Sequence, residues 1–240
     1  MSQADPRLEL AQASRILYAK GVVDAFGHVS RRHSEDADLF LMSRSMAPGL
    51  VQVTDILDHD LDGHPVSEPE ARVFLERFIH AEIYRRRPDV MAIVHSHAPE
   101  VIPFTVVKSR PLRPICHMCG FLDALPSTFD IANFAGPDSN LLIGNADLGR
   151  AFSDHLGDAN LALMRGHGFT AVGTTLAQAV FRSVYTGLNS RLQMSALQLG
   201  DPQYLTPGEA VACDHATNSQ VDRAWSLWLC ELDNLPGLST

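Results

Sequence analysis

The chain has 240 residues, 45% hydrophobic and 20% charged, which is the composition of one globular α/β domain over residues 1–240 and not of a disordered, collagen-like or coiled-coil protein. Its 19 Lys and Arg against 28 Asp and Glu give a formal charge of −9, a surface that repels a phosphate backbone and excludes non-specific nucleic-acid binding. No apolar run reaches the ~20 residues of a membrane span, and the segment from Met1 to Asp5 lacks the basic start and apolar core of a secretory signal. A cytoplasmic protein with no membrane partner is therefore expected.

Residues 6–20 place Leu10, Ala13 and Leu17 at helical spacing and stop at Gly21, which suits the left-handed position that closes a helix. From Val22 to Val53 the pattern is short and irregular around the apolar cluster Leu39-Phe40-Leu41-Met42, which predicts short strands joined by loops, and Asp62-Gly63 predicts a tight turn. Glu68 to Arg87 carries Phe74, Phe78 and Ala81 on one stripe with Leu75, Ile79 and Ile83 beside it, a helix expected to end before Pro88.

Met91 to Val94 then predicts a buried strand leading into His95-Ser96-His97. Leu161 to Met164 repeats that pattern before Arg165-Gly166-His167-Gly168, with Phe169 to Val172 as the return strand and a long helix from about Thr175 to Leu199. The Pro- and polar-rich tail beyond Gly200 is expected to be weakly ordered. Strands alternating with helices indicate an α/β layered architecture, although strand direction is not legible from periodicity.

Four cysteines, Cys116, Cys119, Cys213 and Cys230, do not form a disulfide framework at this length. Cys116-x-x-Cys119 has neither the second pair of a zinc ribbon nor the strand-to-helix setting of a redox site, and reads as small buried thiols. The distinctive number is 11 histidines. Along an extended strand residues two apart share a face, so His95 and His97 point the same way with Ser96 opposite. Two neutral imidazoles on one face can bind one metal ion, and His167, set between glycines after a similar strand, is the natural third ligand. Glu76 lies just upstream on the expected helix, where Arg72 and His80 are its alternative i±4 partners.

Gly27-His28-Val29-Ser30, the Glu76 segment, Arg87-Pro88-Asp89 through Val94-His95-Ser96-His97-Ala98, and Arg165-Gly166-His167-Gly168 resemble, in order and spacing, the class II aldolase/adducin family. The resemblance implies a three-layer fold, a central mostly antiparallel sheet flanked by helices, assembled into homo-oligomeric rings with active sites between subunits. It implies His95, His97 and His167 as ligands of a divalent ion, for which Mn or Zn is expected, and Glu76 as a carboxylate that ligates the metal or moves protons. His117 falls near the place where the aldolases bring a catalytic tyrosine across the subunit interface, and is a second catalytic candidate.

Departures from the sugar-phosphate branch point to the substrate. His28 stands where those aldolases keep an asparagine, Ser43-Arg44-Ser45-Met46-Ala47-Pro48 replaces a Thr-Gly type loop, and Phe74-Leu75 replaces a Ser-Ser pair before the glutamate. A phosphate dianion wants several N–H and hydroxyl donors, which two apolar side chains do not supply. Arg44 has a planar fork suited to a carboxylate and Phe74 and Leu75 suit a flat ring, with Ser43 and His28 as further substrate contacts. The chain looks close to the branch that decarboxylates hydroxylated aromatic or pyridine dicarboxylates, such as 3-hydroxy-2-methylpyridine-4,5-dicarboxylate. A metal-dependent aldolase or epimerase on a hydroxy-carbonyl compound is the alternative, and a non-catalytic adducin-like scaffold has no evident need for three histidines and a glutamate around an open site.

Overall fold

The computed structural model describes residues 5–122 and 126–234. The Asp5 side chain accepts from the Arg7 amide and starts helix α1 (Pro6–Ala19), with proline in the first turn where its missing N–H costs nothing. The chain then enters three antiparallel strands, β1 (His28–Arg32), β2 (Leu39–Ser43) and β3 (Ile56–Asp60), and turns back at Gly63, whose φ of +81° favours glycine.

Helix α2 (Arg77–Arg86) is shorter than the helix expected from Glu68 to Arg87. The first half of that apolar stripe is irregular backbone, because its carbonyls are taken from outside: the Ser45 N–H donates to Arg72 O at 2.7 Å, and the Arg77 guanidinium donates to Phe74 O at 3.0 Å. Those carbonyls face donors outside a helical ladder, and residues 68–76 run as turns and irregular backbone. Glu76 becomes the residue that enters the helix, at φ −87° and ψ 18°.

Strand β4 (Ala92–Ser96) follows, then α3 (Ile102–Val106), a 3-10 segment His117–Leu122, β5 (Thr128–Phe129), α4 (Ala132–Ala135) and α5 (Ala146–Leu156). Strands β6 (Leu161–Met164) and β7 (Gly168–Gly173) form the expected return pair before the long helix α6 (Leu176–Leu199), capped by the Thr175 side chain. The expectation of a weakly ordered tail is corrected: α7 (Pro207–Asn218) and α8 (Val221–Asp233) are helices, α7 beginning in a Thr206/Glu209 capping box with proline in its first turn. The polar composition of the segment hid a Pro-initiated helix and an amphipathic one whose Val221, Trp228 and Leu232 are buried.

The sheet runs β3-β2-β1-β4-β7-β6-β5, antiparallel at every pairing except β5 with β6. Each face buries its own apolar cluster. Val29, Leu41, Val94 and Ala171 face the layer of α1, α6 and α8, where Leu10, Phe181 and Trp228 pack. Phe40, Met42, Ile93 and Val172 face the layer of α2 and α5 with Ile79, Ile83 and Phe152. This alternation fixes the site, since the face that carries Ile93 also carries His95, toward α2. No helix among the described residues is long and apolar enough to cross a membrane.

Candidate metal centre and its cavity

Four side chains from three separate elements converge at the open ends of β4 and β7. The Nε2 atoms of His95, His97 and His167 lie 3.0, 3.2 and 2.8 Å from one another, and Glu76 Oε2 is 3.4 Å from His95, 3.3 Å from His167 and 4.0 Å from His97. His95, His167 and Glu76 are buried. Three of the four donors are oriented from behind. His95 Nδ1 faces Thr170 Oγ1 at 3.1 Å, His167 Nδ1–H donates to Leu141 O at 2.8 Å, and the Ile143 amide donates to Glu76 Oε1 at 3.0 Å. Such partners fix the ring tautomer and leave the inner lone pairs free. The turn at residues 139–143 thus holds two of the four donors, and it does so at a backbone cost: Leu141 sits at φ +62°, a region non-glycine residues rarely occupy.

The electrostatics follow from burial and proximity. Burial raises the Glu76 carboxyl, but His95 and His167 outweigh it and hold the group well below the usual carboxylate range. Burial lowers His95, and lowers His97 to about 3. At His167 burial also disfavours the charge, yet the hydrogen bond and charge of Glu76 prevail and its pKa is raised. The pocket is therefore an anionic carboxylate beside two neutral imidazoles and a third, His167, that holds its proton more readily, an arrangement that attracts one cation in exchange for that proton. Bonds of ~2.0–2.1 Å to four tetrahedral donors set those donors roughly 3.4 Å apart, against separations here of 2.8 to 3.2 Å between the histidines and 3.3 to 4.0 Å to Glu76. The residues fit a divalent metal ion.

The cluster opens into a cavity of about 430 Å³ walled by Phe26, Met46, Phe74, Leu75 and Leu142, with Arg72, His28 and Ser45 as its polar members beside Glu76 and His97. The His28 ring packs against Phe74 with centroids 4.7 Å apart and the planes tilted by 47°. The sequence-expected substrate contacts divide here. His28, Phe74 and Leu75 line the cavity. Arg44 does not: its guanidinium is paired with Asp55 at 3.3 Å and Glu68 at 3.1 Å. Ser43 is buried in β2, paired with Ile56 of β3. His117 lies elsewhere, lining a second cavity with Tyr185, Gln220 and Trp228. Cys116 and Cys119 are free, with their sulfurs 3.2 Å apart.

Sequence reasoning missed Arg72 as a cavity residue and the turn at 139–143 altogether. Arg72 had been placed only as an i−4 helix partner of Glu76, but the segment is not helical, and no described carboxylate pairs with it. For the turn, the only available signal was the run Pro137-Asp138-Ser139-Asn140, which marks a turn without saying what it supports.

A mostly antiparallel sheet between two helical layers, with a His3Glu cluster at the ends of its interior strands β4 and β7, is the architecture of the class II aldolases. A crystal structure of an aldolase II superfamily protein from Pseudomonas syringae superposes with a TM-score of 0.79 at 19% identity, covering 97% of this chain and 93% of that one. A structure titled L-fuculose 1-phosphate aldolase superposes at 0.75 and 18% identity, over 91% and 98%. The chain belongs to this family: residues 8–194 match the Class II Aldolase and Adducin N-terminal domain. Among its relatives, Decarboxylase tropJ of Talaromyces stipitatus is 39% identical over 91% of this chain and 90% of its own length. A 3,4-dihydroxyphthalate decarboxylase of Arthrobacter keyseri is 28% identical over 83% and 82%.

Proposed function

We propose that this protein decarboxylates an ortho-hydroxylated aromatic or pyridine carboxylate, using a divalent ion held by His95, His97, His167 and Glu76. At the coarser level the chain is a lyase of the decarboxylase kind, on which its family and its named relatives agree. The observation that carries the finer reading is the cavity itself: a four-donor cluster opens onto apolar and aromatic walls beside the cation Arg72, with which no carboxylate among the described residues pairs. That lining suits a flat acid and, among the described residues, offers Ser45 as its one hydroxyl side chain where a phosphate dianion needs several donors. Mn²⁺ and Zn²⁺ both suit three imidazoles and a carboxylate. When bound, the ion supplies a Lewis-acid sink for the electron pair left by carbon–carbon cleavage.

The chain's own residues do the rest. Arg72, in place of the Arg44 expected from sequence, pairs with a substrate carboxylate, and Phe74 and Leu75 flank the ring. Glu76, with Oε1 tied to the Ile143 amide, turns Oε2 toward the histidines. A carboxyl held so far below its usual range is a poor proton donor, so Glu76 serves as a donor to the ion and the ring carbon takes its proton from another group. His117 is our candidate for that group, presented to a neighbouring subunit's cavity in a homo-oligomer, since within one chain it faces a different cavity.

The test is carbon dioxide release by the Mn- or Zn-loaded protein from 3,4-dihydroxyphthalate, 3-hydroxy-2-methylpyridine-4,5-dicarboxylate and related hydroxy acids, beside a chelator-treated control. Metal-dependent release is expected. An aldehyde from a hydroxy-carbonyl compound, with no carbon dioxide from any acid, would establish the aldolase reading in its place. Substitution His117→Asn is expected to leave metal content intact and lower turnover.

A further inference from the structure

Behind the cavity, two periodicities interleave into a buried polar chain that metal binding does not use. His28 and Ser30 are two apart on β1 and share the face toward α2, and His80 and Tyr84 are four apart on α2 and share the face toward β1. His28 Nδ1 lies 2.8 Å from His80 Nε2, His80 Nδ1 lies 2.6 Å from Ser30 Oγ, and Ser30 Oγ lies 2.8 Å from the Tyr84 hydroxyl. All four side chains are buried. His28 alone reaches the cavity, and its Nε2 has no partner among the described residues.

A chain of neutral groups linked this way has two polarisations. In one, Tyr84 donates to Ser30, Ser30 to His80 Nδ1, and His80 Nε2–H to His28 Nδ1, so that His28 carries its proton on Nε2. In the other every bond reverses, His28 shows a bare lone pair to the cavity, and the Tyr84 O–H is left buried with no acceptor, since its hydroxyl meets only Ser30. An orphaned buried donor is costlier than an underused phenol oxygen. We infer that the Tyr84–Ser30–His80 chain locks His28 as a fixed Nε2–H donor toward the cavity, selecting ligands that place a carboxylate or phenolate oxygen there. The identity of that oxygen rests on the function proposed above, whereas the direction of the chain does not.

His80, Ser30 and Tyr84 are accordingly positioning residues, and their test reads the tautomer directly. In the full-length protein loaded with diamagnetic Zn²⁺ and labelled with ¹⁵N-histidine, the spectrum of His28, assigned by its loss in His28→Asn, is expected to show the proton on Nε2. Adding 2-hydroxybenzoate should shift that resonance, and 2-hydroxybenzylamine, which brings a donor to the same place, should bind at least about tenfold more weakly. Tyr84→Phe, which removes the hydroxyl that the reversed chain would strand while keeping Ser30 to accept from His80, is expected to move the His28 proton partly to Nδ1 with metal content unchanged. With 3,4-dihydroxyphthalate, His80→Leu should raise KM about tenfold or more, as loss of a hydrogen bond to a charged group does, and His80→Gln, which keeps an N–H toward His28, should restore most of it. A wild-type proton on Nδ1, or a tautomer unmoved by Tyr84→Phe, overturns the inference. Absence of turnover with a correct tautomer counts against the proposed reaction and leaves the donor assignment standing.

Discussion

His167 differs from the other two histidines of the cluster in its neighbour. Its Nε2 is 3.3 Å from the Glu76 carboxylate with Nδ1 tied to Leu141 O, so that ring retains a proton more readily than an ordinary imidazole, while burial keeps His95 and His97 unprotonated. A metal ion must then displace a proton from His167 alone, since His97, lowered to about 3, and the low-lying Glu76 carboxyl are free of theirs near neutrality. Affinity is expected to fall as pH drops below neutrality, losing about tenfold per pH unit, the slope of one released proton. Metal dissociation constants measured between pH 7.5 and 5.5 check this; a slope of three protons would mean that the other two rings are not held neutral. The same position shows how much of the site was readable residue by residue. His95, His97 and Glu76 were named from spacing and context, but Arg44 was chosen as the substrate cation on chemistry alone, and its pairing with Asp55 and Glu68 is a matter of which chains lie nearby.

At the scale of elements, the edge where β4 meets β7 sets the cluster. Gly168, at φ +157°, opens β7 directly after His167, and a Cβ built there would stand 2.0 Å from Ser96 O of β4. Gly168→Ala must therefore push the strands apart between His95 and His167. A loss of about 1–3 kcal/mol of stability is expected from the strained backbone, together with loss of stoichiometric metal, read by chemical denaturation and by metal analysis of the purified variant. Retention of both would show that the edge yields without moving the histidines. Element prediction succeeded where local pattern and tertiary demand agreed, as at α1, β2, β6, β7 and α6. It failed at residues 68–76, where a helical stripe was overruled by the Ser45 and Arg77 donors, and beyond Gly200, where polar composition masked two helices that lean on the α6 layer.

For the whole molecule, the cluster joins parts of the chain that are far apart in sequence: the approach to α2, the end of β4 and the turn between β6 and β7. An ion bound there ties the sheet to the α2 layer and stabilises only the folded state. At a free concentration a hundred times its dissociation constant it adds about 2.7 kcal/mol, which for a chain of this size raises the melting temperature by roughly 5–10 °C. Melting the metal-loaded protein with and without chelator measures this, and His97→Ala should remove most of the difference. An equal chelator effect in that variant would place the stabilising ion elsewhere.

What the amino-acid sequence determined by itself was whatever repeats locally: the period-2 pairing of His95 and His97, the helical faces of α1 and α6, the glycines around His167, and a surface charge hostile to nucleic acid. These depend on residues within a turn or two of one another, and their physics travels with the chain. The tertiary structure alone decided that Arg72 replaces Arg44 at the cavity, that the turn at 139–143 orients two of the four donors, and that His28 leads into a buried chain ending at Tyr84. Each of these joins groups separated by many residues, and their partners are chosen by the packing of layers, which no local pattern encodes.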